Sequence, residues 1–464
     1  MNLIPQDLVL AIQILAHLIC VVLILVKTAC QIVIPARKDV LDTKSLKCSI
    51  KINCGHNMFR LAEGVYFVSG ALRAVLYDSR NGFIYHLDQE AKLSLSALLA
   101  CKASEKSPNS LISYLINKRL LTTDKSAWDG DIQRLKIKSQ ITFAWIEITT
   151  ACNLKCIHCY EGDKLTQAVE MPIKTYTKII DELYGYGVRR IQLIGGEPLT
   201  AHLLKDFLDY ALGKFEFIEV YTNGTLINQT WVNYFKQNRI NVALSVYSYE
   251  KKWHEKVTGK PGSWLKTNSA IKMLADAGVK YRVRNVLIKN VPLGCKNTCL
   301  YTLNENKDVV RMVGRANANL LSVENIRKRL ITKRRFASPV SKKQVARMIG
   351  GHNCFANHLY FDVLGEVYPC VMERRMSHGN IHSAHLAQLV IPQILNFNKD
   401  CVSECSSCEF RYFCFDCRPD SMGGGISAKP WYCTYHPLTG EWEDVDAFIT
   451  DFMCQHGLCS NITQ

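Results

Sequence analysis

The order of apolar runs in this chain of 464 residues points to an α/β fold. Three observations carry that reading. An alternating apolar run at 141–148 opens a βα alternation that persists to about residue 320. The strand-like runs within it end in turns bearing Cys, Gly, Asn or Ser, where α/β folds keep their chemistry. Five or six βα units are legible, which suits a partial TIM-like (β/α)6 barrel open on one side, spanning 138–320. Around it, 58–125 reads as a small winged-helix-like unit, 321–350 as a helical bridge and 351–464 as a cysteine-rich domain.

Residues 8–26 form an apolar run broken only by Gln13 and His17, near the minimum length of a membrane-spanning helix. No basic residue precedes it, so a secretory signal fits poorly. Lys27, Arg37 and Lys38 follow, and the positive-inside rule puts the remainder of the chain in the cytoplasm, anchored to the inner face of the membrane. Residues 1–34 are therefore a candidate membrane helix; an interfacial helix, or a stretch translated from a misassigned start, is the alternative. Strands are expected at 65–68, 74–78 and 82–87, with turns at Gly70 and Asn81-Gly82, then helices at 93–101 and 109–118. A polar linker, 124–138, leads into the barrel.

A formal charge of +16 would attract nucleic acid, an anionic membrane or an acidic peptide. The excess is scattered except at 327–329 and 333–335, and no nucleic-acid-binding signature accompanies those runs, so they read as a solvated helical face and nucleic acid is not an expected partner. Twenty cysteines, several in C-x2-C units of a long chain, point to metal and a reducing compartment. Cys20, Cys30, Cys48, Cys54, Cys101, Cys454 and Cys459 match no motif and read as ordinary thiols.

The densest motif is 151–160, A-C-N-L-K-C-I-H-C-Y, in which Cys152, Cys156 and Cys159 have the spacing C-x3-C-x2-C on the loop after the first barrel strand. Iron–sulfur clusters are held by thiolates, normally four. Three leave one iron open to another ligand. A structural zinc is the alternative, but it wants a fourth ligand in a closed tetrahedron, and His158 stands beside Cys159 in poor geometry for a shared metal. After a helix at 173–186 and a strand at 190–194 comes Gly195-Gly196-Glu197-Pro198. Glycines there let the backbone approach a ligand, and the glutamate can take an ammonium group; a plain βα turn is the alternative. The strand at 216–221 ends in Thr222-Asn223-Gly224, and that at 242–247 carries Ser245. A helix at 264–277 and a strand at 281–288 follow.

The cysteine spacing, with Tyr160 after the third cysteine, resembles the radical SAM (S-adenosylmethionine) enzymes, and G-G-E-P one βα unit later resembles their second motif. The resemblance implies a [4Fe–4S] cluster on Cys152, Cys156 and Cys159, its open iron chelated by S-adenosylmethionine, which yields a 5′-deoxyadenosyl radical. It makes Gly195, Gly196, Glu197 and Pro198 the holders of the ligand's amino group, and Asn223 and Ser245 further ligand-facing positions. Many relatives carry an acid two positions after Ser245; here it is Tyr247, which puts the ribose contact in doubt. Arg282 or Arg284 would pair with the ligand's carboxylate, unless both are surface arginines. The segment 254–264, HEKVTGKPGSW, resembles peptide-modifying members.

Cys354, Gly365 and Cys370, then Cys405-x2-Cys408-x5-Cys414-x2-Cys417 and Cys433, resemble the SPASM domain, which binds auxiliary [4Fe–4S] clusters. Two residues rather than the typical three precede Cys417, a variant similar to maturases of ribosomally made peptides, the grasp-with-SPASM group among them. By the family's interleaving, Cys354, Cys370 and Cys417 share one cluster and Cys405, Cys408, Cys414 and Cys433 another. The first lacks a fourth ligand, for which Cys401, Cys295, Cys299 or a substrate thiolate are candidates; zinc ribbons are the alternative for the C-x2-C pairs.

The resemblance implies an oxidoreductase that modifies a precursor peptide by hydrogen abstraction, closing a thioether, carbon–carbon or ether crosslink, with flavodoxin or ferredoxin as reductant. The unit at 58–125 is similar to leader-peptide recognition domains, which add the peptide to a sheet edge; an inert subdomain is the alternative. Within the enzyme class the alternative is a maturase of a folded protein, making formylglycine in sulfatases or a quinone cofactor. From another class, it is a silent iron–sulfur scaffold that binds a peptide, against which the intact cysteines and G-G-E-P argue. No residue is assigned as catalytic acid or base.

Overall fold

The computed structural model describes residues 59–100, 109–123, 128–162, 168–296, 299–305, 308–421 and 425–459. The candidate membrane helix and Cys20, Cys30, Cys48, Cys54 and Cys101 lie outside them. Among the described residues no helix is long and apolar enough to cross a membrane.

The N-terminal unit pairs β1 (Arg60–Leu61) with β5 (Leu121–Thr122) and builds an antiparallel sheet from β2 (Val65–Ser69), β3 (Ala74–Asp78) and β4 (Phe83–Leu87). Helices α1 (Gln89–Leu99) and α2 (Asn109–Asn117) cover it, with Leu61, Leu76, Leu87, Leu95 and Leu115 in the core between them. Helix α1 starts four residues before the expected 93 because Asp88 accepts the Ala91 amide at 2.8 Å and caps it there. The unit is docked on the C-terminal half rather than tethered to it. Tyr77 donates its hydroxyl to the Val340 carbonyl at 2.7 Å, and the Ala71 amide bonds the Ser407 carbonyl at 2.7 Å. Beside them Phe410 stacks on Phe336 at 4.3 Å and meets the ring of His86.

The barrel strands are β6 (Phe143–Thr149), β7 (Arg190–Gly195), β8 (Phe217–Thr222), β9 (Asn241–Ser245) and β10 (Tyr281–Arg284), all parallel and neighbours in chain order. Helices between them pack outside, as right-handed βα connections require: α3 (Ile173–Tyr186), α4 (Leu204–Ala211), α5 (Gln229–Gln237), then α6 (Lys251–Thr258) and α7 (Ser263–Ala277). On β6 the alternation sends Ala144, Ile146 and Ile148 outward to this helical layer and leaves Trp145 for the barrel interior. On α3 the buried residues Tyr176, Ile179, Ile180 and Leu183 share one face. The helix stops at Gly187, whose φ of +97° is a conformation that costs glycine nothing.

Two barrel strands end earlier than the sequence reading has them. The strand expected at 242–247 ends at Ser245, so Tyr247 lies on the loop beyond it. The strand expected to reach 288 ends at Arg284, because Asn285 turns aside to bond Asn304; only a lone parallel bridge, Leu287 to Val309, continues the pattern.

The free side of β6 is taken by β11 (His358–Phe361), a parallel strand from the C-terminal region, followed by antiparallel β12 (Glu366–Tyr368) and β13 (Gly379–Asn380). The open eight-stranded sheet thus holds six parallel strands, five from the barrel segment and one from beyond it. Helices α8 (Val323–Arg329) and α9 (Lys342–Gly350) bridge the two, and α10 (Val445–Gln455) closes the chain. Cys454 and Cys459, expected as unpaired thiols, are bonded to each other.

Tyr176 is fully buried against Phe207, ring centroids 4.4 Å apart, and its hydroxyl has no hydrogen-bond partner. Tyr176→Phe removes that stranded group and keeps the ring, so it is expected to raise the unfolding free energy by about 1–3 kcal/mol. A urea midpoint equal to or below that of the unaltered protein would contradict this.

Candidate functional site

The cysteine loop is pinned from two sides. Lys155 and Ile157 donate their amides to the carbonyls of Thr258 and Val257 at the end of α6, each at 3.0 Å. The Arg315 amide bonds the Cys159 carbonyl at 2.9 Å, and at Gly314 an added Cβ would collide with that same carbonyl. Asn153 ties the loop to the end of β8, donating to Thr225 Oγ1 at 2.8 Å and accepting from Asn223 Nδ2 at 2.9 Å.

The end of β7 is pressed against the same loop. A Cβ on Gly195 would overlap the Thr149 carbonyl and one on Gly196 the Ala151 carbonyl, while the Gly196 and Glu197 amides bond those carbonyls at 2.8 and 2.7 Å. Glu197 is completely buried. Its oxygens accept Thr222 Oγ1 at 2.6 Å and the amides of Asn223 and Leu199 at 2.7 and 3.1 Å. Burial pushes this carboxyl up, and the three hydrogen bonds act against that. Contrary to the expected ammonium contact, the carboxylate is committed to the strand ends it joins. Pro198, also buried, opens a 3-10 turn behind it.

Cys152, Cys156, Cys159, Gly195, Gly196, Asn223 and Ser245 line one pocket of about 120 Å³. Tyr221, Tyr247 and Arg315 complete its wall. Arg315, distant in sequence and bearing no motif, was not foreseen. Its Nε is buried without a partner, so an anionic ligand would satisfy a donor that the protein leaves open; His158 Nδ1 on the same wall is likewise unpartnered. Arg282 grips Glu219 in a bidentate pair at 2.8 and 2.7 Å. It and Arg284 both face the adjoining cavity of about 380 Å³ inside the barrel, together with Trp145, Gln192, Arg311 and Met372. Tyr221, Ser245 and Tyr247 border both spaces, so the two adjoin.

Burial pushes the Cys152 thiol up to about 11 and the Cys156 thiol to about 12, so these sulfurs become thiolates only when a positive centre takes the place of the proton. Among the described residues no three His, Cys, Asp or Glu side chains converge tightly enough to grip a single metal ion. Thiolates are the ligands of iron–sulfur clusters, and three of them lining one pocket form a donor set that suits such a group.

In the C-terminal region the cysteines sort into two sets. Cys405, Cys408, Cys414 and Cys433 face one cavity walled by Phe336, Phe410 and Trp442. Cys370 lies within electrostatic reach of both Cys354 and Cys417, and Arg311 acts on all three. Burial raises the thiols here too, to about 12 at Cys354 and Cys417 and about 11 at Cys405. Of the candidate fourth ligands, Cys295 and Cys401 are exposed, and Cys299 faces Tyr301.

Glu197→Leu keeps the bulk at the junction of β7 and β8 but strands three buried donors. It is expected to lower the unfolding free energy by about 3–5 kcal/mol, at 1–3 kcal/mol for each unsatisfied group less local relaxation. An unchanged denaturation midpoint would show that the junction does not depend on this carboxylate.

Residues 146–294 match the model of the radical SAM superfamily. The antilisterial bacteriocin subtilosin biosynthesis protein AlbA of Bacillus subtilis is 27% identical over 303 residues, 59% of this chain and 66% of that one. The sporulation killing factor maturation protein SkfB of the same organism is 22% identical over 187 residues, 39% and 45% of the two chains. The chain thus spans less than two thirds of either relative. The structure of Streptococcus suis SuiB bound to precursor peptide SuiA aligns with a TM-score of 0.49 at 15% identity, over 80% of this chain and 99% of that one. Residues 146–294, with the cysteine loop and the Gly-Gly-Glu-Pro turn that close this pocket, belong to the radical SAM superfamily.

Proposed function

We propose that this chain is a radical SAM peptide maturase, which abstracts hydrogen from a ribosomally made precursor peptide and closes a crosslink, a thioether or a carbon–carbon or ether bond. The observation that carries the reading is the pocket in which three cysteines, two close-packed glycines and an unpartnered guanidinium open onto the barrel cavity. Two relatives named for the biosynthesis or maturation of a bacteriocin or killing factor support the substrate class.

When bound, a [4Fe–4S] cluster and S-adenosylmethionine supply a 5′-deoxyadenosyl radical, and auxiliary clusters supply an acceptor for the electron left over as the new bond closes. The chain's own residues do the rest. Cys152, Cys156 and Cys159 are the cluster ligands. Gly195 and Gly196 bring bare backbone to the ligand's methionine end, Glu197 and Pro198 hold that backbone in place, and Arg315 is positioned to take its carboxylate. Asn223 and Ser245 bound the far side, with Tyr247 in place of an acid. The reacting peptide side chain would occupy the barrel cavity, from which Trp145, Tyr221 and Tyr247 exclude water.

Met372 and Val313 border both that cavity and a further one of about 480 Å³ beside Val371, Arg374 and Pro419. That second space is walled by Val371, which follows Cys370 in the chain, and would give the peptide a route toward the three-cysteine set, where its own thiolate would be the fourth ligand. The unit at 58–125 is the proposed leader receptor, taking an extended segment along an edge of the β2–β3–β4 sheet. Flavodoxin or ferredoxin would deliver the electron, and residues 8–26 would tether the enzyme to the inner face of the membrane.

Anaerobically purified protein given dithionite and S-adenosylmethionine is expected to release 5′-deoxyadenosine, and Cys152→Ala, Cys156→Ala and Cys159→Ala each to reduce that release at least about a hundredfold, the scale of losing a group essential to catalysis. Co-expression with a short peptide gene adjacent to this one should lower the peptide's mass by two hydrogens per crosslink, read by mass spectrometry. Activity that survives the alanine variants, or a peptide of unchanged mass, would refute the assignment.

A further inference from the structure

Two carboxylates flank Cys417, and each is shared by two cations. Asp420 accepts Arg311 Nη1 at 2.9 Å and also Arg329 Nη2. Asp416 accepts Lys399 Nζ at 2.7 Å and also Arg418 Nη2. The second trio is the more deeply buried: the side chains of Lys399, Arg418 and Asp416 are 4%, 0% and 0% exposed. Arg418 spends a further nitrogen on the carbonyls of Ile426 and Ala428, both at 2.9 Å. His352 stands against the same aspartate, its Nε2 3.2 Å from the Asp416 carbonyl. Even with His352 uncharged, this set holds two positive charges against one negative. An unbalanced charge out of water is strongly disfavoured, so the site calls for a second anion.

The nearest candidate is sulfur. Lys399 Nζ lies 4.0 Å from Cys405 Sγ, and Cys405 shares its cavity with Cys408, Cys414 and Cys433. The charges of both Lys399 and Arg418 act on Cys405, and that of Lys399 reaches Cys433 as well.

We propose that Lys399 is the buried counter-charge of the iron–sulfur group held by Cys405, Cys408, Cys414 and Cys433, a positioning residue that makes this group easier to reduce. The proposal rests on the reading of these four cysteines as cluster ligands. Reduction adds a negative charge to such a group, and an ammonium beside one of its sulfurs, shielded from water, stabilises the reduced form more than the oxidised one. The competing account is that Lys399 only fastens Asp416.

The test uses the full chain with Cys152, Cys156 and Cys159 changed to Ala, so that only the C-terminal groups contribute. Iron and sulfide content and a redox titration followed by electron paramagnetic resonance are compared for Lys399, Lys399→Met and Lys399→Arg. The signal of the four-cysteine group is identified by its loss in Cys408→Ala. The methionine variant should titrate at a more negative potential, its reduction at least about tenfold less favourable, which for one electron is about 59 mV, and the arginine variant should restore the original midpoint. Loss of that signal in the methionine variant with its retention in the arginine variant would also support a counter-charge. A methionine variant with an unmoved midpoint, or loss of the signal from both variants alike, would overturn the proposal. Zinc in place of iron and sulfide in the parent protein would instead sink the cluster reading beneath it, a result distinguishable from an unmoved midpoint.

Discussion

Between the end of β7 and the loop that follows β6 there is no room for a side chain. The carbonyls of Thr149 and Ala151 occupy the space where Gly195 and Gly196 would carry a Cβ, and the amides of Gly196 and Glu197 bond them directly. This backbone-on-backbone contact fixes how far the cysteine loop can lift from the sheet. It also aims Glu197 sideways into β8, where the carboxylate collects the Thr222 hydroxyl and the Asn223 amide. Asn223 then reaches back to Asn153 in the cysteine loop, so the ends of three strands are closed into one ring of contacts. Gly195, Gly196 and Asn223 take their positions in the pocket from that ring.

Much of this is legible in the sequence because it is written in short-range patterns. Period-two and helical alternation locate the βα units, and helix α3 can be read from its spacing alone, since its apolar face runs uninterrupted to Gly187. Cysteine spacing marks the thiolates, and polar strand ends mark Asn223 and Ser245. What escapes is everything decided by distant partners. Glu197 reads as a ligand group because nothing nearby in sequence reveals that Thr222 and Asn223 will stand beside it. Arg282 looks available until β8 brings Glu219 to it, and Arg315 carries no motif at all. The strand expected to reach 288 is cut short by a side-chain bond from Asn285 to a residue nineteen positions on.

The cysteine sites share one electrostatic logic. Burial raises the thiols of Cys152, Cys156, Cys354, Cys370, Cys405, Cys408, Cys417 and Cys433, and each set has a cation nearby: Arg315 at the first loop, Arg311 at Cys354, Cys370 and Cys417, Lys399 at Cys405. Burial and positive charge pull in opposite directions on a thiol, and together they describe an environment made for an anionic group rather than for a proton. The aromatic wall of Phe336, Phe410 and Trp442 over the four-cysteine cavity keeps water out and lets that balance matter. The same wall meets His86 of the N-terminal unit, so this region links the two ends of the chain.

The parallel pairing of β6 with β11 has a consequence for biosynthesis. Ala144 finds its partner, Leu359, more than two hundred residues later, so while the ribosome is making that stretch one of the two middle strands of the sheet has one bare edge. Contacts this remote form slowly, and an unpaired apolar edge invites misassembly in the meantime. That edge stays unpaired until Phe361 has emerged, although the loop at the tip of β6 is held by α6 and Arg315, which are made earlier. A message cut short before that codon would leave the middle of the sheet with an open edge.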